Sequence, residues 1–326
     1  MTKDKVLLLL KEAKTYLSGE AMSKEIGVSR AAIHTAVNKL RNDGYEIASV
    51  TRKGYLLQKS ADQLSFGEIA SYLPKSRAEK LVYFNQVDST NTKLKTLATE
   101  GAKEQTTVVA NVQTAGKGRL GRRFESPENT GVYLSYLLRP NCEVAKLPEI
   151  TAWSAVAVAR AIEKVANTKV DIKWVNDILM HGKKVCGILT EMAMEGETGH
   201  IQYVIVGIGV NVHATEFPEE LKRKASSVEE ECGSCIKRAQ LVAAIIQEMD
   251  LLYQKWPEEK QEYLQAYGEK CVNLHKEVLV IRKNEEKKGK VTALTEDFQL
   301  QVRYEDGTEE IVSSGEVSVR GLHGYI

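Results

Sequence analysis

The sequence predicts an α+β chain in three successive regions, and three patterns carry that prediction. Residues 1–62 read as helix, tight turn, helix and then a short basic hairpin. Residues 66–270 mix strand-like and helix-like segments without a strict strand–helix beat, which favours a central mixed β-sheet with helices on one side. Residues 271–326 turn to short alternating strands separated by tight turns, the pattern of a small β-barrel. A length of 326 residues, 43% hydrophobic and 27% charged, is enough for two or three cores and excludes a disordered or collagen-like chain. The first apolar run, residues 6–10, is halted by Lys11, too short for a signal-peptide core or a membrane span. A cytoplasmic protein with no membrane partner is therefore expected. Cys142, Cys186, Cys232, Cys235 and Cys271 form an odd, scattered set that reads as reduced thiols. The net charge of +1 names no partner, but it is unevenly spread.

Residues 1–59 hold eleven Lys or Arg against six Asp or Glu, a local charge of +5. Val6, Leu9, Leu10, Ala13 and Leu17 recur at helical spacing and predict a helix over 4–17. A second short helix over 21–26 stops at Gly27, and Ser29 is placed to cap a third that runs to about 42. In that third helix Ile33, Val37 and Leu40 face inward. Arg30, His34, Thr35, Asn38 and Lys39 are left outward, a mixture suited to phosphates and base edges in a major groove. Residues 45–50 and 54–57 then form a hairpin with Arg52 and Lys53 at its tip. This is a winged helix-turn-helix, with Ser29, Arg30, His34, Thr35, Asn38, Lys39, Arg52 and Lys53 as the candidate DNA contacts. A module of this shape that binds protein is the alternative. The segment from Ser18 to Ile47 with Arg52–Leu57 resembles the DNA-binding module of biotin operon repressors.

A linker near 60–66 leads into predicted strands at 82–85, 107–112, 132–138, 171–174, 184–192 and 202–210, with helices at 92–100 and 147–165. The window from Gln113 to Phe124 contains G-x-G-x-x-G, but no helix follows it, so a dinucleotide fold is excluded. Three glycines interleaved with Lys117, Arg119, Arg122 and Arg123 make a loop whose amides and cations can close over an anion. A solvated basic loop is the plainer alternative. Ser89, Thr90 and Asn91 open a helix, where they can cap it, face a ligand, or do both. Lys173-Trp174-Val175-Asn176-Asp177 ends a strand, and Lys184 follows the turn at Gly182. Such a lysine can neutralise a carboxylate and a phosphoryl group, or simply cover a hairpin surface.

Ser89-Thr90-Asn91, Gln113, the GKGRLGR loop, KWVND, KKVCGIL and Gly207-Ile208-Gly209-Val210-Asn211 stand in the order and spacing of the biotin-protein ligases, which this chain resembles over nearly its whole length. With the N-terminal module, the resemblance points to the bifunctional family that joins biotin operon repressor to biotin-[acetyl-CoA-carboxylase] ligase. It implies a class II synthetase-like central domain, a C-terminal SH3-like barrel, ATP with Mg2+, biotin as substrate and corepressor precursor, a biotin carboxyl carrier protein as acceptor, operator DNA, and a homodimer when biotinyl-AMP is bound. It also implies residue roles. Ser89, Thr90, Asn91, Gln113, Lys117, Gly118, Arg119, Lys184 and Gly187 match the biotin-binding positions, with Lys184, Lys117 and Arg119 in catalysis. Arg122, Phe124, Asn176, Asp177, Asn211 and Arg320 match nucleotide contacts. Two departures stand out: Lys117 replaces the loop's usual first arginine, losing a planar fork, and Val175 replaces the usual proline.

The family's chemistry would be attack of biotin's carboxylate on the α-phosphate of ATP, followed by transfer from the mixed anhydride to an acceptor lysine. A ligand-sensing repressor without catalysis and a lipoate or octanoate transferase relative are the two other readings. Cys232-Gly233-Ser234-Cys235 has metal-like spacing but no second pair, and reads as a loop. His181, His200, His213, His275 and His323 show no ligand spacing, so no protein metal site is expected.

Overall fold

Val6, Leu7 and Leu10 form the buried stripe of α1 (Thr2–Glu12), which closes a small core with Met22, Ile33, Val37, Leu40, Tyr45 and Ile47. The computed structural model describes residues 2–194, 200–214, 217–219, 221–282, 285–314 and 317–321. They fall into two units, Met1–Tyr83 with Lys237–Ala243, and Phe84–Ile236 with Ala244–Ile326.

In the first unit α1 ends at Glu12 instead of continuing to 17. Leu17 pairs with Tyr55 through two backbone hydrogen bonds of 2.9 Å. A Cβ on Gly54, at φ +112°, would lie 2.1 Å from the Leu17 carbonyl. Leu17 thus serves as a third edge of the wing, and long-range backbone pairing overrides its helical spacing. The Ser18 hydroxyl accepts from Ala21 N to start α2 (Gly19–Ile26), which stops at Gly27 with φ 76°. Ser29 likewise accepts from Ala32 N to start α3 (Arg30–Asn42). The wing is the antiparallel pair β1 (Glu46–Val50) and β2 (Gly54–Lys59). Residues 60–65 carry no helix or strand, and after them lie α4 (Phe66–Ala70) and α5 (Lys75–Ala78). Lys11 pairs with the buried Glu68 at 2.6 Å, and the Asp4 carboxylate accepts from Gly67 N at 3.1 Å. Arg238, 1% exposed, donates its backbone N–H and its Nε to the Asp62 carboxylate, each at 3.0 Å. This unit therefore runs past the expected boundary at 62 and recruits a distant segment.

The second unit is built on a seven-stranded sheet. In chain order its elements, of which the first residues of β3 and α9 belong to the first unit, are β3 (Leu81–Val87), α6 (Thr90–Thr99), β4 (Thr107–Gln113), β5 (Gly131–Leu138), α7 (Leu147–Ala166), β6 (Asp171–Lys173), β7 (Asp177–Met180), β8 (Lys183–Met194), β9 (Ile201–Asn211), α8 (Val228–Cys232), α9 (Arg238–Lys255) and α10 (Lys260–Lys270). The strand order is β3-β4-β5-β9-β8-β7-β6. The short β7 is absent from the sequence reading because its four residues carry no alternation of their own. The register pairs Ser135 with Gly207 and Gly187 with Gly209, and sets Tyr136 opposite Val206 and Thr190 opposite Val206 from the other side. Side chains alternate, so the first set shares one face and Tyr136 and Thr190 share the other. The long helices cover that second face: Thr151 of α7 bonds Thr190 at 2.8 Å, and Tyr136 bonds Asp250 of α9 at 2.6 Å. α10 seals α7 by stacking Tyr263 on Trp153, ring centroids 3.9 Å apart. On the first face α6 covers one end, where Ser135 reaches Thr90 and Asn91, and a cavity occupies the rest.

The C-terminal strands β10 (Glu277–Arg282), β11 (Glu285–Leu294), β12 (Leu300–Tyr304), β13 (Glu309–Val312) and β14 (Val317–Gly321) form an antiparallel sheet in the order β13-β12-β11-β10-β14. Trp174 ties it down. Its backbone N–H donates to Asn273 Oδ1 and its Nε1–H to the Phe298 carbonyl, both at 2.8 Å. No helix among the described residues is long and apolar enough to cross a membrane.

Replacing one partner of a buried, multiply bonded ion pair strands the other charge. Arg238→Met is expected to destabilise the N-terminal unit by about 3 kcal/mol, read as an earlier first transition in urea unfolding followed by far-UV circular dichroism.

Candidate active site

The open face of the sheet holds a cavity of about 650 Å3. Bare backbone makes the room. A Cβ on Gly209 would lie 2.5 Å from the Phe124 ring, one on Gly207 would lie 2.3 Å from Asn91 Oδ1, and one on Gly187 would lie 3.0 Å from Lys184 Nζ. Three side chains thus rest directly on two adjacent strands.

One end of the cavity is polar and neutral. Ser89 stands at the N-terminus of α6 but makes no side-chain cap, and the helix starts at Thr90, two residues earlier than its periodicity predicts. Gln113, at the end of β4, supplies the missing acceptor: its Oε1 takes the Thr90 N–H at 2.8 Å. Asn91 Nδ2 donates to Glu191 Oε2 at 2.7 Å, and Lys95 pairs with the same carboxylate at 2.5 Å. Burial pushes the Glu191 carboxyl up, but the bonds from Lys95 and Asn91 outweigh it and hold it below its ordinary value.

The other end is cationic. Residues 116–124 form a tight hairpin, with Gly118 N bonded to Arg122 O at 2.7 Å and Phe124 N to Gly116 O at 3.0 Å. Lys117 Nζ reaches Thr92 Oγ1 at 3.0 Å, tying the hairpin to α6. Arg119 Nη1 donates to Asn176 Oδ1 at 2.9 Å, and Asn176 Nδ2 donates to Asp177 Oδ1 at 3.1 Å. Lys184 Nζ meets that same oxygen at 2.6 Å. Burial lowers the Arg119 guanidinium from its ordinary value, against the pull of Asp177. Phe124 lies on Gly209 with its edge toward Tyr133, ring centroids 6.4 Å apart. The Trp174–Val175 peptide is cis.

All the matched residues except Arg320 line this one cavity: Ser89, Thr90, Asn91, Gln113, Lys117, Gly118, Arg119, Arg122, Phe124, Asn176, Asp177, Lys184, Gly187 and Asn211. Arg320 lies on β14, its side chain outside the described residues, and its neighbour Val319 lines the cavity. Sequence reasoning missed Ser135 and Glu191, and it met the two glycines of β9 only within a matching motif, without a role. A lone serine in an otherwise apolar or aromatic strand was the available signal for the first.

On α3, Arg30, His34, Thr35 and Lys39 are exposed, as are Ser29 and, at the wing tip, Arg52 and Lys53. Asn38 is half-buried and bonded to His34 and Arg41. The acidic residues Glu229, Glu230 and Glu231 lie in α8, which ends at Cys232, and Gly233, Ser234 and Cys235 form the expected loop. Glu229 accepts from Ile236 N at 2.7 Å and pairs with His213 at 2.8 Å, while Glu231 pairs with Lys183 and His181, both at 3.0 Å. Ser226 N, just before α8, bonds the Lys184 carbonyl at 3.0 Å, so α8 braces the strand that carries Lys184. Among the described residues no group of three or more His, Cys, Asp or Glu converges as a metal site, and His323 lies outside them.

Residues 2–56 match an HTH domain, 83–211 the Biotin/lipoate A/B protein ligase family and 274–320 the Biotin protein ligase C terminal domain. The bifunctional ligase/repressor BirA of Bacillus subtilis is 41% identical over 249 residues, which cover 76% of each chain. The chain belongs to the BirA family of bifunctional ligase/repressors. The BirA of Escherichia coli is 28% identical over 317 residues, covering 97% of this chain and 96% of its own. A biotin protein ligase from Aquifex aeolicus, solved in complex with biotin and ATP, is 30% identical and superposes with a TM-score of 0.64 over 74% of this chain and 98% of that one. The BirA family thus accounts for the helix-turn-helix and the cavity in one chain.

Burial pushes the Glu231 carboxyl up, but bonds from Ser226, Lys183 and His181 outweigh it and hold it below 4.5. A carboxyl with a depressed folded pKa contributes stability above its unfolded value and loses it as pH falls through the folded one. Glu231→Gln is therefore expected to lower Tm at pH 7 and to flatten the fall in Tm below pH 4.5, measured by differential scanning calorimetry from pH 7 to pH 3.

Proposed function

We propose that this chain joins biotin to ATP as biotinyl-5′-adenylate, transfers the biotinyl group to a lysine of a biotin carboxyl carrier protein, and represses transcription when the adenylate is bound. The observation that carries this reading is the cavity's polarity, neutral and hydrogen-bonding at the α6 end and cationic at the hairpin end. Biotin has the same polarity: a ureido head with two N–H donors and one carbonyl, an apolar tail, and a carboxylate.

With the head at Ser89, Thr90, Asn91 and Gln113, the tail crosses Gly187 and the carboxylate reaches Lys184. Attack on the α-phosphate forms the acyl–phosphate bond and releases pyrophosphate. Lys184, now paired with Asp177, turns its charge to the reacting oxygens, and Lys117 and Arg119 balance the charge that develops. The acceptor amine then attacks the acyl carbon, and AMP leaves. Phe124, Arg122, Asn176, Asn211 and Arg320 are assigned to the nucleotide. Mg2+ is held by one or two carboxylates plus substrate phosphates. Asp177, a carboxylate at the cationic end of the cavity, fits that role, and the ion would neutralise phosphate charge. The hairpin excludes water from the anhydride.

The exposed face of α3 and the wing tip, lying in a segment of charge +5, support operator binding through Ser29, Arg30, His34, Thr35, Asn38, Lys39, Arg52 and Lys53. A homodimer formed by the adenylate-bound chain would offer two such helices to an inverted repeat.

Incubated with biotin, MgATP and a carboxyl carrier domain, the protein is expected to yield pyrophosphate and biotinylated carrier. Lipoate should not replace biotin, because a dithiolane leaves the polar head site unpaired. Lys184→Met should lower the rate of adenylate formation about 100-fold. Binding of biotin without any turnover by the wild type would favour a sensor. In gel-shift titrations, biotin with ATP is expected to strengthen operator binding. Affinity unchanged by ligand would remove the corepressor role, and Arg30→Ala with Lys39→Ala should weaken the complex and reduce its salt dependence.

A further inference from the structure

We infer that Asn273 and Phe298, both in the C-terminal region and neither among the residues that line the cavity, are positioning residues for the nucleotide and act through Trp174. Resting on the ligase reading above, this names the contacts that hold the cationic end of the cavity in the shape ATP needs.

The segment that needs holding joins β6 to β7. Lys173 and Asp177 face each other in the register, and Trp174, Val175 and Asn176 cross between them. Lys173, Trp174, Asn176 and Asp177 line the cavity, and Asn176 and Asp177 hold Arg119 and Lys184. The far end of the segment is fixed by the sheet itself: the Asn176 carbonyl accepts from Ile188 N and Asn176 Nδ2 donates to the Ile188 carbonyl, both at 2.9 Å. The near end is fixed from outside the sheet. Trp174 is 4% exposed, so both of its N–H groups must be satisfied within the protein. Asn273 Oδ1 takes the backbone N–H and the Phe298 carbonyl takes the indole N–H, each at 2.8 Å.

Both acceptors are themselves held in place. Val272 N donates to the Ile172 carbonyl at 3.0 Å, which lays residues 271–273 along the outer edge of β6 and brings the buried Asn273 beside Trp174. Phe298 stands at the tip of the β11–β12 hairpin with φ 58°, a left-handed conformation that a residue with a side chain enters at a cost. Across that turn Thr295 N bonds Gln299 O at 2.8 Å and Phe298 N bonds Thr295 O at 3.0 Å. The Phe298 ring, 1% exposed, meets Tyr267 edge-on with centroids 5.6 Å apart. Next to it Asp297 accepts from Lys146 at 3.3 Å and from Lys260 at 3.0 Å, which pins the tip to the starts of α7 and α10. The strained turn thus presents two things inward, the ring to Tyr267 and the carbonyl to Trp174. Gln113, at the head end of the cavity, lies on β4, toward the other end of the strand order from β6. Loss of either bond to Trp174 therefore loosens the nucleotide end and leaves the ureido site as it was.

The test uses isothermal titration calorimetry to measure the affinity of biotin alone and of a non-hydrolysable ATP analogue with biotin and Mg2+ present, together with KM for ATP and for biotin in adenylate formation. The proteins are wild type, Asn273→Ala, Asn273→Asp and Phe298→Gly, and thermal melts confirm that each is folded. Asn273→Ala deletes the acceptor of the Trp174 backbone, while Phe298→Gly keeps the carbonyl and removes the ring that seats it. Asn273→Ala and Phe298→Gly are each expected to weaken the analogue and raise KM for ATP roughly fivefold or more, with biotin alone bound within about twofold of wild type. Asn273→Asp keeps an oxygen acceptor for the Trp174 N–H and should bind the analogue more tightly than Asn273→Ala. Unchanged analogue affinity in Asn273→Ala or in Phe298→Gly overturns the inference. So does an equal loss of biotin and analogue, or an Asn273→Asp that binds no better than Asn273→Ala. Should one of the two deletions fail to fold, the other decides alone. A wild type that binds both ligands but forms no adenylate would instead sink the ligase reading, and the analogue titrations would still decide the inference.

Discussion

The site depends on the absence of side chains along one face of two neighbouring strands. Gly187 and Gly209 sit opposite each other in the register, and Gly207 follows two residues before Gly209 on the same face. An ordinary strand would fill that layer with Cβ atoms and leave no depth for a ligand. Here Phe124, Asn91 and Lys184 lie against the backbone itself. Three candidate site side chains take their position from that floor: the Asn91 amide, the Phe124 ring at the base of the hairpin, and Lys184. Glycine in a strand weakens it through lost packing and added chain entropy, and the cover of α7 and α9 on the opposite face offsets that weakness.

Two of the cavity's cations, Lys184 and Arg119, are tied to one carboxylate. Lys184 is bonded to Asp177, Arg119 reaches the same carboxylate through Asn176, and Lys117 is held by a threonine on α6. A buried unpaired cation would be costly, so one carboxylate gathers the cationic end into an ordered cluster. Under the proposed mechanism, substrate would exchange one anion for another in that cluster, with little rearrangement.

Much of this was legible in the sequence because it is local. Capping serines, the turn at Gly27, the apolar stripes and the glycine-cation window each announce themselves within about ten residues. The architecture and the family followed from them. What escaped reading is what long-range contacts decide. Leu17 keeps helical spacing yet pairs with a strand almost forty residues away. Glu229 and Glu231 belong to no motif, and only the fold brings them to His213, Lys183 and His181. Ser135 and Glu191 stand outside the quoted motifs, and only the fold brings them to Thr90 and Asn91.

The contact between Arg238 and Asp62 also bears on how the chain is made. The N-terminal unit draws residues 237–243 into its structure, so it is discontinuous along the polypeptide. At translation rates of about 5–20 residues per second, the ribosome releases that last piece roughly 8–30 s after the first stretch has emerged. A nascent chain can build the three-helix core early, but the buried anchor closes only when most of the catalytic half already exists.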